Sequence, residues 1–228
     1  MQIRFLGQAC FEFAYGASRI LVDPFLAPHN PVAPVSAEEV DPTHILLTHG
    51  HPDHAADAVA IARRTGAHCV AITDLGRWLG EQGVESVSDP NLGGTVRFDW
   101  GSVKLVPALH TNSSPDHSLP IGVAAGLVIE IDGVTIYHLG DTCLFGDMRL
   151  IGEREAPEIA IVPIGGHYTM DRADAAHACE LIGARTVIPC HYDTFPKIEA
   201  DVEAFRAEVE SRSESEVVVL APGEVHDR

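Results

Sequence analysis

Short apolar runs separated by glycine-containing turns open the chain: Ile3 to Leu6, Cys10 to Phe13 and Arg19 to Val22. That pattern predicts a meandering β-sheet. A proline-rich stretch, DPFLAPHNPVAPVSAEEVDP, comes next and reads as an ordered loop lying over the fold. From His44 to Leu47 another strand runs directly into THGHPDHAAD at residues 48–57. AADAVAIARRTG then carries apolar residues at helical spacing up to a glycine stop, which predicts one amphipathic helix over 55–66.

The pattern repeats downstream. HCVAI, VKLVPAL, GVAAGLVIEI, VTIYHL, EIAIVPI and TVIPC read as strands, while RADAAHACELIG and IEADVEAFRAEVE read as helices. IDGVT between two apolar runs predicts a tight hairpin, because Asp-Gly accepts the positive φ angles of a type I′ turn. Strands recur in both halves with helices mostly after them, so the expected class is α/β (α+β), with sheets covered by helices on their outer faces.

Composition narrows the possibilities. With 228 residues and 46% hydrophobic content, a single domain over 1–228 is expected. Net charge is −18, from 33 acidic against 15 basic residues, and only Lys104 and Lys197 are lysines. A field of that sign repels phosphate backbones and anionic lipid, so neither nucleic acid nor stable membrane association is expected. The five cysteines (10, 69, 143, 179 and 190) are widely spaced without a CxxC pair and predict neither disulfides nor a thiolate zinc knuckle. The start of the chain lacks an uninterrupted apolar signal segment, and no run approaches the roughly 20 residues that span a bilayer. A soluble, cytoplasmic protein is expected.

Chemistry gathers where apolar runs end in polar residues. His49 and His51 are two apart, a spacing that points both side chains to one side of an extended segment, and Asp53 and His54 follow at the helix start. Imidazole and carboxylate together suit zinc, manganese or iron, and the lack of thiolates argues against a closed structural zinc site. Three further apolar runs end in His110, Asp141 and His191, each ordinary alone but together supplying what the first cluster lacks.

This HxHxDH block, followed by a distant His, a distant Asp and a final His, resembles the metallo-β-lactamase superfamily. Asp23 in ILVDPF matches that family's early strand-end aspartate, and the correspondence runs in order along nearly the whole chain. The wording IVPIGGHYTM, IPCHYDTFP and GDTCLFGDM is similar to a group of bacterial and archaeal metal-dependent hydrolases. A more distant similarity is to the ascorbate-6-phosphate lactonases and to the phospholipase D enzymes that cleave N-acyl phosphatidylethanolamine.

The resemblance implies a four-layer αβ/βα sandwich with two divalent ions, zinc first with manganese or iron as alternatives, in a cleft at the edge of the sheets. It implies that His49, His51 and His110 hold one ion, that Asp53, His54 and His191 hold the other, and that Asp141 bridges them. Asp23 would orient a ligating histidine, since a ligating imidazole usually donates its other N–H to an acceptor. Redox-active diiron relatives have glutamate where this chain has His51, which favours hydrolysis.

The expected activity is hydrolysis of an ester, lactone or phosphodiester bond of a small molecule by a metal-bridging hydroxide, with Asp53 assisting. His167, after a strand and a Gly-Gly pair, is the candidate proton donor to the leaving group, with Tyr192 a weaker one. His117 and His29 sit in loops able to overhang the cleft, and the loops after His110 and Asp23 are candidates for substrate selection. His44 is expected in the core or behind the ligands, while His68, His138, His177 and His226 have no spacing that joins them to the site. An RNA-processing nuclease and a non-catalytic metal-binding or regulatory protein are the alternatives. The charge opposes the first and the complete ligand set the second. The resemblance also allows a homo-oligomer.

Overall fold

In the computed structural model, which describes residues 1–228, the chain forms fourteen strands. They are β1 (Gln2–Gly7), β2 (Cys10–Tyr15), β3 (Ser18–Val22), β4 (His44–Leu46), β5 (His68–Val70), β6 (Val87–Ser88) and β7 (Thr95–Phe98), then β8 (Gly101–Pro107), β9 (Ala125–Ile131), β10 (Val134–His138), β11 (Ile159–Pro163), β12 (Thr186–Cys190), β13 (Glu216–Val217) and β14 (Val225–Asp227). The helices are α1 (Pro52–Ala55), α2 (Ala58–Thr65), α3 (Thr73–Glu81), α4 (Met148–Glu155), α5 (Arg172–Ile182) and α6 (Val202–Arg212).

The strands make two seven-stranded sheets, ordered β14-β1-β2-β3-β4-β5-β6 and β13-β12-β11-β10-β9-β8-β7. Each sheet pairs antiparallel up to β3 or β10 and parallel beyond it. One plan is therefore built twice, although the sequence carries no visible repeat. Apolar side chains of both sheets, among them Ile20, Leu46, Leu127 and Ile161, merge into one core that also takes up Ile61 of α2 and Leu75 of α3. A second cluster joins the outer face of the second sheet to α4, α5 and α6 through Val162, Val187, Met148, Cys179 and Phe205. The result is the four-layer αβ/βα sandwich. No helix is long and apolar enough to cross a membrane.

Burial explains the strand patterns. The central parallel strands β11 and β12 are buried at every position, so they read as continuous apolar runs, as sheets covered on both faces must. At the hairpin between β9 and β10, Asp132 and Gly133 both take positive φ, 55° and 74°, as the Asp-Gly pair predicts.

The helix predicted over 55–66 is instead two helices that break at Ala56–Asp57. Asp57 does not cap α2; its carboxylate accepts from the Leu26 main-chain N–H at 2.7 Å and bonds His29 Nδ1 at 2.8 Å. The helix is interrupted where its aspartate ties down the proline-rich loop, a tertiary demand that helical periodicity does not record. Helices α3 and α4, the edge strands β13 and β14 and the short strands β6 and β7 are also absent from the sequence reading.

Candidate metal centre

All seven ligand-type side chains predicted from the sequence come together at one end of the sandwich. His49 follows β4, His110 follows β8, Asp141 follows β10 and His191 follows β12, so the ends of four strands deliver them to one edge. They form two groups, His49 with His51 and His110, and Asp53 with His54, Asp141 and His191. Within each group the ligand atoms lie within 4.8 Å of one another.

Asp23, directly after β3, lies behind both groups. It is fully buried and accepts from the Thr48 N–H at 2.8 Å, the Thr48 hydroxyl at 2.6 Å and His54 Nδ1–H at 2.8 Å. Because the Thr48 hydroxyl spends its proton on Asp23, it can only accept from His49 Nδ1–H, 3.0 Å away. One carboxylate thus fixes the tautomer of a histidine in each group and leaves both Nε2 lone pairs facing the space between them. Asp23 takes its place with φ 46°, a left-handed conformation that few residues other than Asn and Asp accept.

Asp141 stands between the groups. Its Oδ2 is 3.2 Å from His191 Nε2, 3.5 Å from His110 Nε2 and 4.0 Å from His49 Nε2, while its Oδ1 is 3.3 Å from His54 Nε2. Asp53 Oδ2 lies 3.3 Å from His191 Nε2 and 3.6 Å from His54 Nε2.

Three residues that the sequence analysis did not assign to the centre hold this arrangement. Gln8, in the β1–β2 turn, donates its side-chain amide to Asp53 Oδ2 at 2.9 Å, and its main-chain carbonyl accepts from the His191 N–H at 2.7 Å. Asn112 accepts from the Gly50 N–H at 2.8 Å and donates to the Ile121 and Val123 carbonyls, clamping the loop after β8 onto the HGH turn. Gly50 permits that clamp: a Cβ there would lie 2.4 Å from the Ser113 carbonyl oxygen.

His138, which has no spacing that links it to the site, is the third. The Gly140 N–H donates to its Nδ1 and its Nε2–H donates to the Ala9 carbonyl, both at 3.1 Å. This buried imidazole therefore anchors the turn that presents Asp141. The signal available in the sequence was slight, a polar residue at the end of an apolar strand.

Electrostatics divides the two groups. Burial, then the neighbouring imidazoles His110 and His54, hold His51 down to about 4, and burial likewise lowers His49 and His110. The first trio is thus neutral and ready to donate lone pairs. In the second group burial opposes a charge on His191, yet Asp141 and Asp53 outweigh it and raise its pKa to about 9. His54 is raised in the same way, while Asp53 and Asp141 stay ionised because their histidine neighbours outweigh burial.

The donor set fits divalent cations. His54 Nε2, His191 Nε2 and Asp141 Oδ1 are buried without a hydrogen-bond partner, and such atoms in a native interior call for an ion or water. In the first trio, His49 Nε2 and His51 Nδ1 face each other at 3.0 Å, a separation two lone pairs tolerate only with a proton or a cation between them.

A cleft of about 960 Å³ opens onto the centre, lined by His51, Asp53, His110, Asp141 and His191 and by loop residues from both sheets. Phe25 comes from the proline-rich loop, and Thr111 and His117 from the loop after β8. His167, expected to reach the cleft as a proton donor, does not line it: the side chain is exposed with its ring edge-on against Tyr168, and Tyr168 lines the cleft instead. Tyr192 is turned toward the core beneath α6, where burial pushes its hydroxyl up to about 12. His29 is spent on Asp57 and is not a lining residue.

Comparison with known proteins identifies the family. The family model of the β-lactamase superfamily domain matches residues 2–191. A UPF0173 metal-dependent hydrolase from Methanopyrus kandleri is 44% identical over the full length of both chains. Another from Thermococcus onnurineus is 46% identical, covering 99% of this chain and 98% of the relative. Among solved structures, Igni18, a metallo hydrolase from Ignicoccus hospitalis, superposes with a TM-score of 0.89 at 35% identity, covering 99% of this chain and 97% of its own. The chain belongs to the β-lactamase superfamily, among its metal-dependent hydrolases.

Proposed function

We propose that this chain is a binuclear hydrolase that cleaves an ester, lactone or phosphodiester bond in a small molecule. The observation that carries the reading is the position of Asp141, with one oxygen within 4.0 Å of nitrogens from both groups. His49, His51 and His110 would hold one ion, Asp53, His54 and His191 the other, and Asp141 would serve both. Nitrogen and oxygen donors without thiolate suit zinc first, with manganese or iron as the alternatives. Ions bound there would supply a hydroxide nucleophile at neutral pH and polarise the oxygen of the scissile bond.

The rest falls to the chain itself. Asp23 and Thr48 hold the His49 and His54 rings with their lone pairs forward, and Gln8 holds Asp53. Asp53, about a quarter exposed on its side chain where Asp141 is almost fully buried, is the more open of the two carboxylates at the centre and would accept a proton from the attacking water. The cleft volume matches that of small-molecule sites, and a cleft lined by a single lysine and no arginine, in a chain of net charge −18, does not suit a nucleic-acid backbone.

Metal analysis of protein purified with zinc or manganese in the medium is expected to give close to two ions per chain. Turnover assays with bis(p-nitrophenyl) phosphate and a lactone panel then assign the bond. A stoichiometry of one in fully loaded protein overturns the binuclear reading, and no turnover across the panel overturns the bond class.

A further inference from the structure

At the rim of the cleft two loops from neighbouring parallel strands are locked together. The Gly-Gly turn after β11 presses against the segment after β12: a Cβ at Gly165 would lie 2.2 Å from the His191 carbonyl oxygen and 2.8 Å from Ile198 Cβ. Only glycine permits that approach, and it sets the loop carrying Tyr168 in register with both His191 and the short 3-10 turn Pro196–Ile198. Lys197, on that turn, consequently stands with its Nζ 3.5 Å from the Tyr168 hydroxyl and 5.9 Å from the centre of its ring.

The charge at this corner stands out against the rest of the chain. Of the two lysines, Lys104 is neutralised by Glu155 at 2.5 Å, whereas Lys197 contacts Tyr168 and no carboxylate. Among the residues lining the cleft, Lys197 is the one lysine or arginine. An ammonium donating to the Tyr168 oxygen leaves the Tyr168 O–H free to donate outward, so two donors, one of them charged, serve the same space. Beside them Phe25 and Phe195, with ring centres 6.3 Å apart, form an apolar wall. In a chain of net charge −18 an unpaired lysine at the cleft mouth adds positive potential where an anion enters.

We propose that Tyr168 and Lys197 form a subsite for an oxyanion of the substrate, carboxylate or phosphate, so that the cleft takes small anionic molecules with an apolar segment in preference to neutral ones. This rests on the hydrolase reading above and names its substrate class.

Two measurements test it. The first compares kcat/KM for mono-p-nitrophenyl glutarate, which is anionic, with that for neutral p-nitrophenyl butyrate. The wild-type protein should favour the anionic ester, and Lys197→Gln should lower the anionic-to-neutral ratio about tenfold, mainly through KM, with a smaller fall for Tyr168→Phe. An unchanged ratio in Lys197→Gln overturns the subsite.

The second does not depend on turnover. Reductive methylation with ¹³C-formaldehyde labels both lysines, and NMR titration with glutarate or inorganic phosphate should shift the Lys197 signal while that of Lys104 stays. The anion that saturates at lower concentration decides between carboxylate and phosphate. Equal or absent shifts of the two lysines with both anions overturn the subsite whatever bond the enzyme cuts. A selective Lys197 shift without turnover of either ester supports the subsite and counts against ester hydrolysis.

Discussion

Gln8 donates to Asp53 across 45 residues of sequence, 2.9 Å from Nε2 to Oδ2, while its own carbonyl accepts the His191 N–H at 2.7 Å. One turn residue of the first sheet thereby steadies ligand-type groups that approach from both sheets. Gln8→Met preserves the volume and the main-chain bond and removes only the amide donor. Affinity for an ion at Asp53, His54 and His191 should fall roughly 10- to 100-fold, the usual effect of losing such a support. The other trio should lose much less. Zinc titration against a competing chelator reads the two steps separately, and an unchanged second step would remove Gln8 from the centre.

Asp23 accepts from the Thr48 N–H, the Thr48 hydroxyl and His54 Nδ1–H, and it is completely buried. Asp23→Ala should cost about 3–5 kcal/mol of stability in metal-free protein, as expected when one partner of a buried hydrogen-bonded pair is removed. Denaturant unfolding measures it. Asp23→Asn keeps the shape but turns one acceptor into a donor, so it should retain more stability than alanine and still bind metal weakly, because the rings lose the tautomer that frees Nε2.

Removing Asp141 should empty both halves of the centre together, since its two oxygens face nitrogens of both groups. The expected result for Asp141→Ala is metal content well below one ion per chain and no detectable hydrolysis. A variant that keeps one tightly held ion would assign Asp141 to a single group.

Far from the centre, His44 and His68 share an aromatic cluster with Phe98 and Trp100, and Ser86 and Ser88 bond the two nitrogens of His68. Burial lowers both histidines below the ordinary 6.5 in the folded chain. The unfolded chain therefore takes up protons first as pH falls, so stability from this cluster is present above pH 6.5 and declines below it. His68→Gln, a neutral polar group between the same serines, should flatten the loss of stability between pH 7 and pH 5. Urea midpoints of the two metal-free proteins at both pH values check this, and parallel slopes would count against it.

The ligand-type residues were legible because four stand in one polar block and three follow apolar runs. His110, Asp141 and His191 stand one to three residues beyond the ends of β8, β10 and β12. The type I′ turn at Asp132–Gly133 was legible because φ preference is a property of the residue itself. The break before α2 was not, because it belongs to a bond between Asp57 and Leu26, and periodicity says nothing about a partner 31 residues away. Nor was the part played by His138, which no spacing joins to the site and which depends on the bonds of its two nitrogens to Gly140 and Ala9. The Gly-Gly pair after β11 pointed to His167, but side-chain direction puts its neighbour Tyr168 along the cleft instead.

The sequence by itself determined the inventory: which side chains carry lone pairs, that they end strands, and that thiolates take no part. Tertiary structure alone decided how those side chains are held. Imidazole tautomers depend on the acceptor behind each ring, and here Asp23, Thr48 and Gln8 reach their partners through contacts that span up to 183 residues of chain. Such bonds have a distance and an angle but no local pattern, because only the closing of two sheets on each other brings the donors and acceptors into range.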